Sequence, residues 1–216
     1  PIITKLDSLY ISNTSGYYYR QRPGSMVKQV SNHRTEVERL SVLFQFLRES
    51  LSEGNDGKEF QNQLLHYVYA LSLMRLGGQY NKGKNLIHEL IKKQNLDNNL
   101  KLCLYSSGSF GQNVYRNLNF SEDYQIVGWI DEDYRESQIC GLNVTDISTV
   151  SKIDFDYIFI AALDPSWILE AIKTLTLLNV PKDKILSIKF DEKSIETGVF
   201  EMGFSLQSFK IINQVF

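Results

Sequence analysis

The sequence predicts an α/β protein in which an N-terminal helical segment precedes a small, doubly wound parallel-sheet domain of the Rossmann-like class. Two observations support this prediction. Apolar residues recur at helical spacing between about residues 35 and 95, whereas short apolar runs alternate with helical patterns from about residue 99 onward. The run YIFIAA at residues 157–162 is apolar on both faces, as a central parallel strand requires.

Changes in composition divide the chain into four segments. Residues 1–34 are irregular and polar-aromatic, and residues 35–97 are predicted to form a helical linker or bundle. Residues 98–190 are predicted to form the Rossmann-like domain. Residues 191–216 form a C-terminal extension, for which the pattern leaves open an edge strand or a terminal helix.

Three apolar faces in the helical segment predict three helices that pack as antiparallel neighbours. Thr35 is the expected N-cap of the first helix, because a hydroxyl there can accept a hydrogen bond from the first turn. The faces consist of Val37, Leu40, Phe44, Leu47 and Leu51, then Phe60, Leu64, Val68 and Leu71, and finally Leu86, Ile87, Leu90 and Ile91.

The Rossmann-like segment contains four runs that predict strands and two stretches that predict helices. The polar stretch DEDYRESQ at residues 131–138 is predicted to be a loop. The predicted strands cover residues 100–105, 125–130, 157–162 and 185–188, and the predicted helices cover residues 112–118 and 166–178.

Composition excludes several classes of function. Of the 216 residues, 43% are hydrophobic, which is enough to form a core. The net charge is −2, so the chain lacks the basic excess that nucleic-acid binding proteins normally have. No apolar run approaches the roughly 18 residues of a membrane span, and no signal peptide is visible, so we expect a cytoplasmic location. Cys103 and Cys140 fit neither a metal-ligand spacing nor a disulfide framework, and Cys103 is expected to be buried and inert.

The stretch LYSSGSFGQNVY at residues 104–115 lies between a predicted strand and a predicted helix. It aligns with G-x-G-x-x-G as Ser106-x-Gly108-x-x-Gly111, in the position of a dinucleotide-binding turn. Asp131 follows Gly108 by 23 residues, at the end of the second strand, where an acid would meet a ribose hydroxyl. Gly108, Ser109, Gly111 and Asp131 are therefore the candidate cofactor-binding residues.

Two interpretations of this turn stay open. In the first, it binds a nucleotide or NAD(P), with a phosphate at the helix N-terminus. In the second, the turn needs glycine for its fold alone and holds no ligand. Ser106 in place of the first glycine and the bulky Phe110 within the loop favour the second interpretation, and no Tyr-x-x-x-Lys hydride-transfer pair appears.

The same segment resembles the small Rossmann-like domains that accompany sugar-modifying enzymes of bacterial polysaccharide pathways. The resemblance spans about 90 residues through LYSSGSFGQNVY, IVGWIDED, ICGLNVTDIS, FDYIFIAA and VPKDKIL. It implies the fold and says little about the ligand. The matching positions are Gly108, Gly111, Gly128, Asp131, Gly141 and Ala161, and Ser106 departs from the pattern.

The stretch GYYYRQRPGSM at residues 16–26 resembles the end of the catalytic domain in family 2 glycosyltransferases of the GT-A type. The resemblance implies that Arg20, Arg22 and Ser25 contact the donor diphosphate or the acceptor, since guanidinium groups bind phosphate oxygens well. The alternative is a surface strand with a solvated basic edge. Because the chain begins at Pro1 on this stretch, we expect the C-terminal part of a longer glycosyltransferase.

This resemblance implies a non-catalytic region of an enzyme that transfers sugar from a nucleotide-sugar donor to a glycan acceptor in bacterial surface polysaccharide synthesis. No catalytic residue and no metal ligand is assigned to the chain, because a D-x-D metal motif would belong to the preceding catalytic domain. The longer protein could associate peripherally with the inner membrane. The alternatives are a nucleotide- or NAD(P)-binding sugar-modifying enzyme and a ligand-free interaction module, which could form a homodimer.

Overall fold

The computed structural model describes residues 33–51, 58–76, 80–81, 84–85, 99–119 and 123–204. Two long helices come first, α1 (His33–Leu51) and α2 (Lys58–Leu76). A short antiparallel pair follows, β1 (Tyr80–Asn81) with β2 (Lys84–Asn85). Among the described residues, no helix is long and apolar enough to cross a membrane.

The remaining elements alternate between strands and helices, which is the pattern of a doubly wound fold. Two 3₁₀ segments, Ile147–Lys152 and Lys182–Lys184, precede the last two strands. The other elements are β3 (Leu100–Tyr105), α3 (Ser109–Leu118), β4 (Tyr124–Asp131), α4 (Tyr134–Ile139), β5 (Thr145–Asp146), β6 (Tyr157–Ile160), α5 (Pro165–Leu177), β7 (Ile185–Ser187) and α6 (Glu192–Glu201).

Strands β3 to β7 form one parallel sheet in the order β5-β4-β3-β6-β7. The chain builds outward from β3 to β5 and then crosses to β6 on the other side of β3. This reversal makes the gap between β3 and β6 the topological switch point, and ligands of such sheets bind beyond the carboxyl ends of the strands there.

The two faces of the sheet are covered by different helices. Alternate residues of β3 point to opposite faces, so Leu104 lies in one apolar cluster and Cys103 in the other. The Cys103 side packs against Ile168, Ala171 and Leu175 of α5. The Leu104 side is larger and includes Leu40 and Phe44 of α1, Val68, Tyr69 and Leu73 of α2, Val114 and Leu118 of α3, Ile195 and Val199 of α6, and Met202 directly after α6.

Specific polar and close-packing contacts hold the N-terminal helices in place. Glu36 of α1 is buried, and its carboxylate lies 2.9 Å from the Arg75 guanidinium of α2. Tyr69 of α2 packs directly over Gly198 of α6, where a Cβ atom would meet the tyrosine ring. His33 Nε2 lies 2.7 Å from the carbonyl oxygen of Met202. Helices α1 and α2 therefore pack on α6 and share its apolar core.

The fold class predicted from the sequence is confirmed, since a parallel sheet with helices on both faces follows the N-terminal helices. The four predicted strands are present, and the helix after the first strand begins at Ser109 rather than at residue 112. Helix α1 begins at His33, so Thr35 lies inside the first turn and is not the N-cap. In the C-terminal extension, residues 192–201 form a helix.

The sequence prediction missed several elements, including the short antiparallel pair of β1 and β2. The polar stretch at residues 131–138, predicted as a loop, includes most of helix α4, which ends at Ile139, and the short edge strand β5 follows this helix. The predicted third helix at residues 86–91 lies outside the described residues.

The buried thiol of Cys103 leads to a prediction about alkaline stability. Burial raises the pKa of the Cys103 thiol from its ordinary 9.0 to about 12. Above pH 9.0 the unfolded chain therefore loses a proton that the folded chain keeps, so stability falls as the pH rises toward 12. We expect Cys103→Ala to make this decline shallower by about 1.4 kcal/mol per pH unit in urea unfolding across that range.

Cys140, which is exposed, provides the matched control for loss of a thiol. If Cys103→Ala and Cys140→Ala gave the same pH slope as the unsubstituted chain, the thiol of Cys103 would not be the titrating group.

Candidate functional site

The carboxyl edge of the sheet brings three loops together at the switch point. The first follows β3 and contains the glycine turn at residues 106–111, and the second follows β4 at residues 131–133. The third follows β6, and the backbone N–H of Ala161 there donates to the Tyr105 carbonyl at 2.9 Å. The fold thus collects the predicted residues Gly108, Ser109, Gly111 and Asp131 at one edge.

Ser106 takes the backbone conformation that the first glycine of the pattern normally supplies. Its φ angle is +91°, in the region that side chains disfavour. Its N–H donates to the Ile130 carbonyl at 3.0 Å, and its carbonyl accepts from the Trp129 indole Nε1–H at 2.9 Å. The Trp129 ring also stacks on Tyr115, with ring centroids 4.5 Å apart. These contacts hold a serine where the G-x-G-x-x-G motif has its first glycine.

Gly111 is required by the packing of α3 against this turn. A Cβ atom at Gly111 would collide with the Ser106 carbonyl oxygen and would lie 2.9 Å from the Ser106 carbonyl carbon. Both atoms belong to the backbone, so they cannot turn aside as a flexible side chain could. The fold alone therefore explains this glycine.

Gly108 is different, because the fold does not need a glycine there. It is the N-cap of α3 with φ −59° and ψ 178°, which any residue can adopt. A Cβ atom at Gly108 would have the Ser106 hydroxyl oxygen as its nearest neighbour, at 3.8 Å. Gly108 and Ser109 are both exposed at the mouth of the turn. The missing side chain at Gly108 leaves room for a ligand to approach the backbone.

The backbone N–H groups of residues 108–111 point out of the start of α3 without a hydrogen-bond acceptor among the described residues. The first turn of α3 also contains no acidic side chain. The two helices that follow β6 and β7 differ, because their first N–H groups are already occupied. Asp164 accepts from Ser166 and Trp167 at the start of α5, and Asp191 accepts from Ser194 at the start of α6.

Asp131 lies at the end of β4 as predicted, but its carboxylate turns toward the glycine turn. Oδ2 accepts hydrogen bonds from the Ser107 backbone N–H and the Ser107 hydroxyl, each at 2.6 Å. Oδ1 accepts from the Asp133 N–H at 2.9 Å. Ser107 is buried, and its hydroxyl also contacts the Ser137 hydroxyl of α4. Both carboxylate oxygens of Asp131 are thus engaged inside the protein.

Phe110 does not obstruct the turn. It is 4% exposed and packs in the apolar cluster beneath α3 with Val114 and Leu118. The bulky residue that favoured a fold-only interpretation therefore faces the core, and the mouth of the turn is formed by Gly108 and Ser109.

The DED stretch at residues 131–133 consists of the last residue of β4 and the two turn residues that follow it. Glu132 accepts a hydrogen bond at 2.8 Å from the hydroxyl of Tyr105, which is buried at the end of β3. Burial first, and then this hydrogen bond to Glu132, raises the pKa of Tyr105 far above its ordinary value, so the phenol stays protonated. Within the described residues, no group of three His, Cys, Asp or Glu side chains is placed to hold a metal ion.

The remaining predicted contacts, Arg20, Arg22 and Ser25, lie outside the described residues. Three further residues were not predicted from the sequence: Ser107, which lies in the turn, and Trp129 and Ser137, which contact it. The sequence indicates a role for Ser107 only weakly, through its position directly before Gly108 in the aligned motif. No sequence pattern identifies Trp129 or Ser137, because their contacts with the turn depend on how β4 and α4 pack.

No protein-family model matches this chain, and no curated protein matches it at a significant level.

The two glycines of the turn should respond differently to the same substitution. We expect Gly111→Ala to destabilise the fold by about 3 kcal/mol, because its Cβ atom meets rigid backbone. Gly108→Ala should change stability by less than about 1 kcal/mol, because its Cβ atom makes only an ordinary van der Waals contact with the Ser106 hydroxyl. Urea unfolding of both variants measures the difference. Equal destabilisation would contradict the described geometry.

Proposed function

We propose that the Rossmann-like part of this chain is a binding unit for a nucleotide-type ligand, held by its phosphate at the N-terminus of α3. The observation that carries the proposal is the set of four N–H groups at residues 108–111, unpaired among the described residues and exposed at Gly108 and Ser109. Backbone N–H groups and the helix dipole together favour an anion at this position.

The acidic residues at this edge are compatible with such a ligand because internal donors engage them. Asp131 is bound by Ser107, Glu132 by Tyr105, and Asp164 by the first turn of α5. These hydrogen bonds hold the carboxylates in fixed positions. Among the described residues, the start of α3 still offers four N–H donors at this edge.

The role proposed for this unit is binding or assembly within a glycosyltransferase, with the chemistry located elsewhere in the longer protein. The support is the resemblance of residues 16–26 to the end of a GT-A catalytic domain, together with the Rossmann-like fold that follows. In that setting the donor is a nucleotide sugar and the acceptor a glycan of a bacterial surface polysaccharide. A divalent metal would belong to the catalytic domain, and the protein would act in the cytoplasm or at the inner membrane surface.

A second candidate function is an interaction module that binds no small molecule. It is favoured by apolar side chains exposed on one helix, since Val42 and Phe46 of α1 are 68% and 55% exposed. Apolar groups that remain in water often mark a protein contact. A homodimer formed through α1 with no nucleotide binding would support this alternative.

Calorimetric titration with ADP, UDP and NAD⁺ tests the first proposal. We expect at least one of them to bind, and Gly108→Ala to weaken that binding about tenfold or more by blocking approach to the backbone. Because Gly108→Ala should leave the fold intact, weaker binding would report the site and not unfolding. If none of the three ligands bound at millimolar concentration, the nucleotide proposal would fail.

A further inference from the structure

The orientation of Asp131 suggests a role other than contact with a ligand. An acid at the end of the second strand would meet a ribose hydroxyl if its carboxylate faced the ligand. Here Oδ2 accepts two hydrogen bonds from Ser107, and Oδ1 accepts one from the Asp133 N–H. The side chain spans the gap between the ends of β4 and β3.

We propose that Asp131 is a positioning residue of the glycine turn, acting through Ser107 on the N–H groups of residues 108–111. This inference rests on the proposed nucleotide-binding function of the same turn. It assigns Asp131 to the preparation of the phosphate site and not to ribose recognition.

The peptide planes on both sides of Ser107 are fixed by hydrogen bonds. The preceding plane contains the Ser106 carbonyl, which accepts from Trp129, and the Ser107 N–H, which donates to Asp131. The following plane contains the Ser107 carbonyl, which accepts from the Gln112 side-chain amide at 3.0 Å. Because a peptide unit is planar, fixing this carbonyl also sets the direction of the Gly108 N–H. Asp131 therefore fixes the plane before Ser107 and Gln112 fixes the plane after it, so the two residues together orient the first amide of the phosphate site.

The hydrogen bonds among Ser137, Ser107 and Asp131 all run the same way, with each hydroxyl donating toward the Asp131 carboxylate. The Ser107 hydroxyl has one proton, which it donates to Asp131 at 2.6 Å, so the Ser137 hydroxyl must donate to Ser107. Ser107 is 5% exposed, so a lost partner would leave a buried polar group unsatisfied. Asp131 thus links the turn to α4 as well as to β4.

Pyrophosphate distinguishes this role from ribose binding, because it has phosphates and no ribose. If Asp131 contacts ribose, Asp131→Asn weakens ADP binding and leaves pyrophosphate binding unchanged. Removal of a negative charge would by itself strengthen the binding of an anion. A loss of pyrophosphate affinity in Asp131→Asn would therefore have to arise from the altered turn.

The experiment compares the binding of pyrophosphate and ADP by the full chain and its variants. We expect Asp131→Asn and Ser107→Ala each to weaken both ligands about tenfold, as the loss of a charged hydrogen bond predicts. Asp133→Asn is the matched control, because it removes one negative charge two residues from Asp131. The Asp133 side chain makes no capping bond, and only the Asp133 backbone N–H donates to Asp131. The pyrophosphate affinity of Asp133→Asn should be unchanged or higher. Selective loss of ADP binding in Asp131→Asn would overturn the inference.

A cycle of unfolding measurements tests the same bond without a ligand. Asp131→Asn and Ser107→Ala should each raise the unfolding equilibrium constant about tenfold, and the double variant should raise it by less than the product of the two, because both variants lose the bond between the Ser107 hydroxyl and the Asp131 carboxylate. The positioning role would be overturned if the double variant raised the unfolding equilibrium constant about a hundredfold, or if neither single variant changed it. Failure of the unsubstituted chain to bind either ligand would refute the proposed function, while this cycle would still test the bond.

Discussion

The close approach of α3 to the Ser106 carbonyl is the constraint on which the rest of the site depends. Gly111 permits it, because any Cβ atom there would strike the Ser106 backbone. The same carbonyl accepts the Trp129 indole N–H, which ties the turn to β4, and Ser106 must adopt φ +91° to present it. The helix can then start directly at the end of β3, next to the switch point between β3 and β6.

This constraint divides the turn into a closed part and an open part. Ser106 and Ser107 direct their backbone groups inward, toward Ile130, Trp129, Asp131 and Gln112. The N–H groups of residues 108–111 have no acceptor within the described part of the protein. The closed part supplies rigidity, and a rigid set of donors binds an anion without a further ordering cost. The glycines follow the same division, since Gly111 serves the fold and Gly108 leaves space for a ligand.

The sequence predicted the sheet well because each strand carries its own apolar pattern. The predicted strands at residues 100–105 and 157–162 correspond to β3 and to the shorter β6, and both strands are largely buried. Helix α4 was missed because its six residues expose polar side chains and bury none, so no apolar period marks it. The positions of Gly108, Gly111 and Asp131 were predictable from spacing. The inward turn of the Asp131 carboxylate was not, because it depends on Ser107, which the chain brings near only after β3 and β4 pair.

Residue-resolved amide hydrogen exchange across the turn tests the division into closed and open parts most directly. We expect slow exchange for the amides of Ser106, Ser107 and Gln112, whose N–H groups donate to Ile130, Asp131 and Gly108. We expect fast exchange for the four amides of residues 108–111, because they have no hydrogen-bond acceptor in the described part of the protein. Fast exchange at Ser107, or protection throughout residues 108–111 in the unliganded chain, would contradict this division of the turn.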